Sequence, residues 1–176
     1  VRELVPSECD VEKLAEFYKT YEMRSFLKKL TLPDAEKKGF VLPEAEELTN
    51  ELQLALLDEG PCYLCLADEE LGICVGERLY RTREEAVLRA LLTSERPKVA
   101  HDSKRLCTEM ARRGIEVRDV VFDVHLAAYM LNPSASSYEL PLLCGEYLGM
   151  EVGAGAAEGA YALSKLHGLL SERMEA

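Results

Sequence analysis

The feature that most narrows the folds open to this chain is the change of apolar period along residues 48–131. Apolar side chains first recur at strand-like intervals in three segments, residues 52–57, Cys62–Ala67 and 71–80. The turn formers Asp58-Glu59-Gly60-Pro61 and Asp68-Glu69-Glu70 separate them. After Thr82 the spacing becomes helical, with Ala86, Val87, Ala90 and Leu91 on one face, until Pro97 and the short apolar run Lys98-Val99-Ala100. A helix carrying Leu106, Cys107 and Met110 follows and closes at Gly114. Residues 115–121 read as another strand, and Asp123 is placed to cap a helix that buries Leu126, Ala127 and Met130. That helix stops at Asn132-Pro133, because a proline ring disfavours helical geometry in the residue before it.

Two helices complete the chain, one bearing Leu140, Leu143, Cys144, Tyr147 and Leu148, the other Leu163, Leu166, His167 and Leu170. A Gly/Ala-rich bend lies between them. A three-strand meander followed by helix, strand, helix, strand and terminal helices predicts an α/β fold, a mixed five-stranded sheet flanked by helices. Upstream, Asp10 is placed to cap a helix with Val11, Leu14, Ala15 and Tyr18 inward, and Met23, Phe26, Leu27 and Leu30 repeat the spacing. Leu32-Pro33-Asp34 and the charged stretch holding Gly39 and Pro43 break the period. The expected organisation is a helical arm and connector over residues 1–47 and a main domain over 48–176. The opening Val1, where Met would start a gene product, points to a piece of a longer polypeptide.

The 176 residues are 48% hydrophobic, enough for one ordinary core. With 21 Lys and Arg against 32 Asp and Glu, the formal charge of −11 opposes unaided attraction to a phosphate backbone. No run reaches the roughly 20 apolar residues of a membrane helix and no secretory leader is present, so a cytoplasmic protein without membrane contact is expected. Cys9, Cys62, Cys65, Cys74, Cys107 and Cys144 sit mostly in apolar runs, as small buried hydrophobes of a reducing compartment do. Cys62 and Cys65 form one C-x-x-C, but residues three apart on a strand face opposite ways and no second pair exists to complete a zinc site. His101, His125 and His167 lie among apolar positions and read as fillers rather than ligands. The Gly153-x-Gly155 bend lacks the preceding strand of a phosphate-cradling fingerprint.

One stretch carries a more specific signal. Lys98-Val99-Ala100-His101-Asp102-Ser103-Lys104-Arg105-Leu106, continuing through Arg113-Gly114-Ile115-Glu116-Val117-Arg118 to Phe122-Asp123-Val124-His125-Leu126-Ala127-Ala128-Tyr129-Met130-Leu131-Asn132-Pro133, resembles the middle of the proofreading 3'-5' exonuclease domain of bacterial DNA polymerase I. That family shows there a strand, a helix with an N-L-K-Y-D type motif, a G-I-E-L-R turn and an F-D-x-x-L-x-x-Y-x-L-N helix. Leu14-Ala15-Glu16-Phe17-Tyr18 and Tyr21-Glu22-Met23-Arg24-Ser25-Phe26-Leu27-Lys28-Lys29-Leu30 are similar to the family's segment joining the 5' nuclease domain to the exonuclease domain. Glu146-Tyr147-Leu148-Gly149 is similar to its E-R-Y-L-G. The resemblance implies a ribonuclease H-like 3'-5' exonuclease fold, with DNA as a partner through the full-length polymerase and the polymerase and 5' nuclease domains of the same chain as neighbours.

Enzymes of this family use two divalent ions about 4 Å apart, held by four carboxylates, to activate water and stabilise the departing 3' oxygen. The resemblance places Leu106 where the second motif's metal-binding Asp stands and Asp102 where the family has Asn. Aligning Leu166-His167 with the family's similar pair puts Tyr161 at the last Asp and Ala157 at the preceding tyrosine. Residues 52–57, taken as the first strand, contain no acid, and Asp58 and Glu59 follow it adjacent rather than alternating. A leucine cannot ligate Mg²⁺. A degenerate domain of structural role is therefore expected, with no catalytic residue, no metal ligand and no cofactor; some polymerase I lineages carry such a domain. The rival expectation is a working Mg²⁺-dependent exonuclease built on Asp58, Glu59, Asp68 and Glu70, in which Asp68-Glu69-Glu70 supplies the D-x-E of the first motif. Against it, an Asp68 ending the first strand leaves residues 71–80 for both remaining meander strands. An exposed hairpin turn is the simpler expectation. A docking role for the acidic surface is also compatible with composition.

Overall fold

In the structure, a computed structural model, residues 10–21, 23, 26, 38, 39 and 41–175 are described. The chain divides into two compact units, residues 1–37 and 38–176. In the first, helix α1 (Val11–Thr20) buries Ala15, and the Asp10 carboxylate accepts a hydrogen bond from the Lys13 N–H at 3.1 Å, the cap anticipated from sequence. Leu27 and Leu30 of the expected second helix, and Leu32-Pro33-Asp34 of the connector, lie outside the described residues.

The second unit begins with two short strands, β1 (Lys38–Gly39) and β2 (Ala45–Glu47), where a connector was expected. Next come β3 (Cys62–Ala67), β4 (Glu70–Val75), β5 (Arg78–Thr82), α2 (Glu85–Leu92), β6 (Lys98–Ala100) and α3 (Ser103–Arg112). Then follow β7 (Val120–Asp123), α4 (Val124–Leu131), α5 (Leu140–Leu143) running into a π-helical turn Cys144–Leu148, β8 (Met150–Glu151) and α6 (Ala156–Glu175). The main sheet has six strands in the order β2-β5-β4-β3-β6-β7, one more than expected, because β2 joins β5 in parallel. The β3-β4-β5 meander is antiparallel, and β6 and β7 continue in parallel from β3. The α/β class with a mixed sheet flanked by helices is thus the observed one.

Residues 52–57 are not a strand. The chain forms a 3-10 helix over Glu51–Leu56, because the Gln53 carboxamide oxygen accepts the backbone N–H groups of Thr49 (2.7 Å) and Asn50 (3.0 Å) and curls the chain. Leu52 and Leu56 are left exposed while Leu57 is buried. The meander accordingly starts at Cys62, and residues 71–80, expected as one strand, fold back on themselves. Ala67 pairs with Glu70 across Asp68 and Glu69, whose φ values of 47° and 63° are those of a two-residue hairpin turn of right-handed twist. Val75 pairs with Arg78 across Gly76 (φ 57°) and Glu77. Turns this tight give room for two strands, so the objection that residues 71–80 are too short fails. Residues 115–119 are likewise loop, and β7 starts only at Val120.

Alternation along each strand sends side chains to two cores. Leu64, Leu71, Ile73, Val75 and Tyr80 meet Val87, Leu88 and Leu91 of α2 and Leu106 and Met110 of α3 on one face. Val99, Val124, Ala127, Leu163, Leu166 and Leu170 close the other beneath α4 and α6. Lys98 is fully buried in β6, its ammonium donating to the carbonyls of Ser94 (2.7 Å) and Arg96 (2.8 Å), and burial pushes its pKa down. Helix α6 can lie this close to the sheet because β4 carries Gly72, where a Cβ would run into the Ala156 carbonyl. Gly72→Ala is expected to destabilise by about 1–3 kcal/mol through overpacking. Gly145→Ala, at a position with open space around it, should change stability by less than about 1 kcal/mol. Urea unfolding midpoints of the two variants check the contrast.

Candidate functional site

Strands β3 and β6 run parallel, and their carboxyl ends open on one cleft of about 300 Å³. Such ends are where open α/β sheets place their ligands. Leu64, Cys65 and Leu66 come from β3, and Asp102, Arg105 and Leu106 from the first turns of α3. Glu139 and Leu140 border it from the start of α5; the bend at residues 152–155 and Gly159 of α6 complete it. Gly159 is a glycine for a packing reason, since a Cβ there would meet the Cys65 sulfur.

One carboxylate organises the entrance. Asp123, the last residue of β7, pairs with Ala100 of β6, which brings it beside the chain entering α3. It caps α4 by accepting the N–H groups of His125 (2.8 Å) and Leu126 (3.2 Å), and also accepts the N–H groups of Ser103 (2.7 Å) and Asp102 (3.3 Å) and the Ser103 hydroxyl. Half-burial works against its charge, but these donors outweigh burial and hold its pKa below the ordinary carboxylate value. Asp102 sits at φ 54°, a left-handed conformation uncommon outside glycine, and its carboxylate caps α3 through the Arg105 N–H at 3.1 Å. Arg105 in turn donates to the Leu66 carbonyl at 3.0 Å, tying α3 to the end of β3.

The residues singled out from sequence do not all meet here. Leu106 is in the cleft, at 4% exposure. Tyr161 is not: it packs with Cys74, Leu79 and Ala160, with the Lys165 ammonium 4.8 Å from its ring centre. The α6 residue lining the cleft is Gly159. Asp58 and Glu59 lie in the loop before β3, at the opposite end of that strand. Asp68 belongs to the hairpin turn, and Glu70 pairs with Arg83 (3.4 Å) and Arg81 (4.0 Å). None of the four lines the cleft.

Cys62 and Cys65 do face opposite ways, the first into the α2/α3 core and the second toward α6 and the cleft. Burial pushes the Cys144 thiol up to about 12. His101 donates Nε2–H to the Tyr138 carbonyl at 2.7 Å, and its ring lies tilted against that of His125, with centres 5.4 Å apart. His167 packs edge-on to Phe122 and lies 3.3 Å from the Tyr63 hydroxyl, and burial lowers its pKa. Among the described residues no three His, Cys, Asp or Glu side chains stand together as a metal-binding group. No helix among them is long and apolar enough to cross a membrane. Sequence reasoning missed Cys65, Glu139 and Gly159 as cleft residues; a glycine inside a helix is costly and was the available sign of a close approach.

Residues 64–155, more than half of the chain, match the family described as DNA polymerase I, ribonuclease H-like domain. The chain belongs to that family. A DNA polymerase I of Caldicellulosiruptor bescii is 24% identical over 168 residues, which cover 88% of this chain and 19% of the relative. Among solved structures, the POL domain of Pol1 from M. smegmatis, in complex with DNA primer-template and dNTP, is 22% identical with a TM-score of 0.67 over 75% of this chain and 28% of that one. Brucella melitensis NrnC with bound Mg²⁺ is 16% identical with a TM-score of 0.55 over 74% of this chain and 80% of its own. These structural likenesses establish the fold; the chain spans only a minor part of its polymerase relatives.

Asp123→Ala is expected to cost about 2–4 kcal/mol, since it removes the cap of α4 and the acceptor for the start of α3 together. Calorimetry of the variant checks it. The pH profile should fall in two steps on acidification. His167 has a lowered folded pKa, so its contribution is present above the unfolded value of 6.5 and declines as pH falls through and below it. Asp123 has a depressed folded pKa, so its contribution holds above the unfolded value of 3.8 and is lost as pH falls through the folded one. His167→Phe should remove the first step, read from melting temperatures across pH.

Proposed function

We propose that this chain is a catalytically silent ribonuclease H-like domain of a DNA polymerase I, a structural member of a replication and repair polymerase whose proofreading site has been lost. The observation that carries the reading is the buried Leu106 at the cleft, in the position where the family resemblance calls for a metal-binding carboxylate. Around it stand Leu64, Leu66 and Leu140, hydrocarbon where an ion pair would need oxygen.

The donor set does not fit two hard cations. The acids lining the cleft are Asp102, already capping α3, and Glu139 on the rim, with the soft thiol of Cys65 between β3 and α6. Asp123, behind the cleft, is committed to backbone donors of two helices, and the Glu158 carboxylate lies against Gly153 of the bend. DNA is met, on this reading, through the polymerase as a whole, consistent with the −11 charge of this piece. Its structural neighbours are the polymerase and 5' nuclease domains of the same polypeptide, in the cytoplasm.

The competing reading is a working exonuclease using Asp58, Glu59, Asp68 and Glu70. Their distribution over the two ends of β3, with Glu70 held by arginines, counts against it. The test is direct. The purified chain, incubated with a 3'-labelled single strand and either Mg²⁺ or Mn²⁺, is expected to release no mononucleotide above a metal-free control. Release that requires the ion and is abolished by chelation would overturn the proposal.

A further inference from the structure

The cleft wall formed by residues 152–155 is held at its ends and not along its length. Val152 is buried in the core beneath α4 and α6, while Gly153, Ala154 and Gly155 are exposed. No backbone group of another described residue hydrogen-bonds to that of Gly153 or Ala154. At the far end the wall runs into α6, where the Gly155 carbonyl accepts the Gly159 N–H at 2.9 Å and the Glu158 carboxylate lies against Gly153. At the near end it leaves β8, whose partner is β1. Lys38 stands opposite Met150 and Gly39 opposite Glu151, in a two-stranded sheet separate from the main one.

Strand β1 is also the first element of the second compact unit, directly after the boundary at residue 37. The chain passing from one unit into the other is thus stitched to the strand that carries the cleft wall. Two residues of parallel pairing, with no further strand on either side, make a marginal ladder that opens well before the body of a fold does. The sheet behind the cleft is held far better, since the β3–β4 and β4–β5 ladders each run for five residue pairs. We propose that β1 is a strap on the cleft: its pairing with β8 holds the 152–155 wall in place, and its release opens the cleft without unfolding the sheet. The opening is then set by the segment that enters from the first unit rather than by the cleft's own lining, to which β1 contributes no residue. A strap of this kind serves a silent or a working cleft alike.

The Cys65 thiol reports the state of the strap, because it lines the cleft together with the bend and lies against Gly159. Its alkylation by iodoacetamide, followed by peptide mass spectrometry at one pH, is compared in the 176-residue chain, in the double variant Lys38→Pro/Gly39→Pro and in Met150→Pro. Proline takes N–H donors out of the ladder, here from one strand or the other. Half-buried Cys107 of α3, outside the cleft lining, is the internal reference. Both variants are expected to raise the Cys65 rate about tenfold with the Cys107 rate unchanged, and to accelerate hydrogen exchange at residues 152–155 but not in the β3–β5 meander. Equal Cys65 rates in all three proteins would refute the strap. So would a parallel rise at Cys107, which would assign the effect to loosening of the whole domain.

Discussion

The carboxylate of Asp123 is the contact on which the working end of this domain depends. Two parallel strands must each hand over to a helix at the same edge, and each helix start leaves N–H groups without partners. The β6–β7 register sets Asp123 opposite Ala100, so one side chain reaches the amides of α4, which follows it directly, and those of α3, three residues beyond its strand partner. A charge placed at two helix N-termini gains from both dipoles. The cleft wall formed by the first turn of α3 is therefore fixed from behind, by a residue outside the cleft's own lining.

The opposite wall depends on what is missing from side chains rather than on what they supply. Gly72 lets the Ala156 carbonyl come down on β4, and Gly159 lets α6 meet Cys65. These two glycines bring the long helix against the sheet beside the cleft. The cleft that remains is lined by Leu64, Leu66, Leu106 and Leu140 together with Asp102, Arg105 and Glu139.

The legibility of this arrangement in the sequence follows how local each determinant is. Asp123 as a cap, the stop at Asn132-Pro133 and the helical run after Thr82 were readable because cap, breaker and period lie within a few residues of each other. The 3-10 helix at Glu51–Leu56 was misread as a strand because Leu52, Leu54 and Leu56 alternate, and the Gln53 side chain that overrides alternation leaves no mark in a hydrophobic pattern. That error displaced the whole meander by one strand and made residues 71–80 seem too short to fold back, although Gly76 was there to turn them. For the site, Leu106 was assigned from a contiguous motif and lies in the cleft, whereas Tyr161 was assigned through Leu166-His167, more than one helical turn away, and lies outside it. Gly159, the residue that reaches the cleft, could be identified only once α6 was laid on β3.

Most contacts holding the cleft are made to backbone. Asp123 accepts from amides, Arg105 donates to the Leu66 carbonyl and His101 to that of Tyr138. None of them depends on what side chain stands at position 106. A cluster of carboxylates without its ions would be a liability to such a fold, since like charges a few ångströms apart resist joint ionisation and raise each other's pKa. Leucine at the same place removes that repulsion and adds apolar burial worth about 25 cal/mol per Å². On the proposed reading, losing the ions' ligands cost the scaffold nothing and stabilised it, which is why a site can fall silent while the architecture that served it persists.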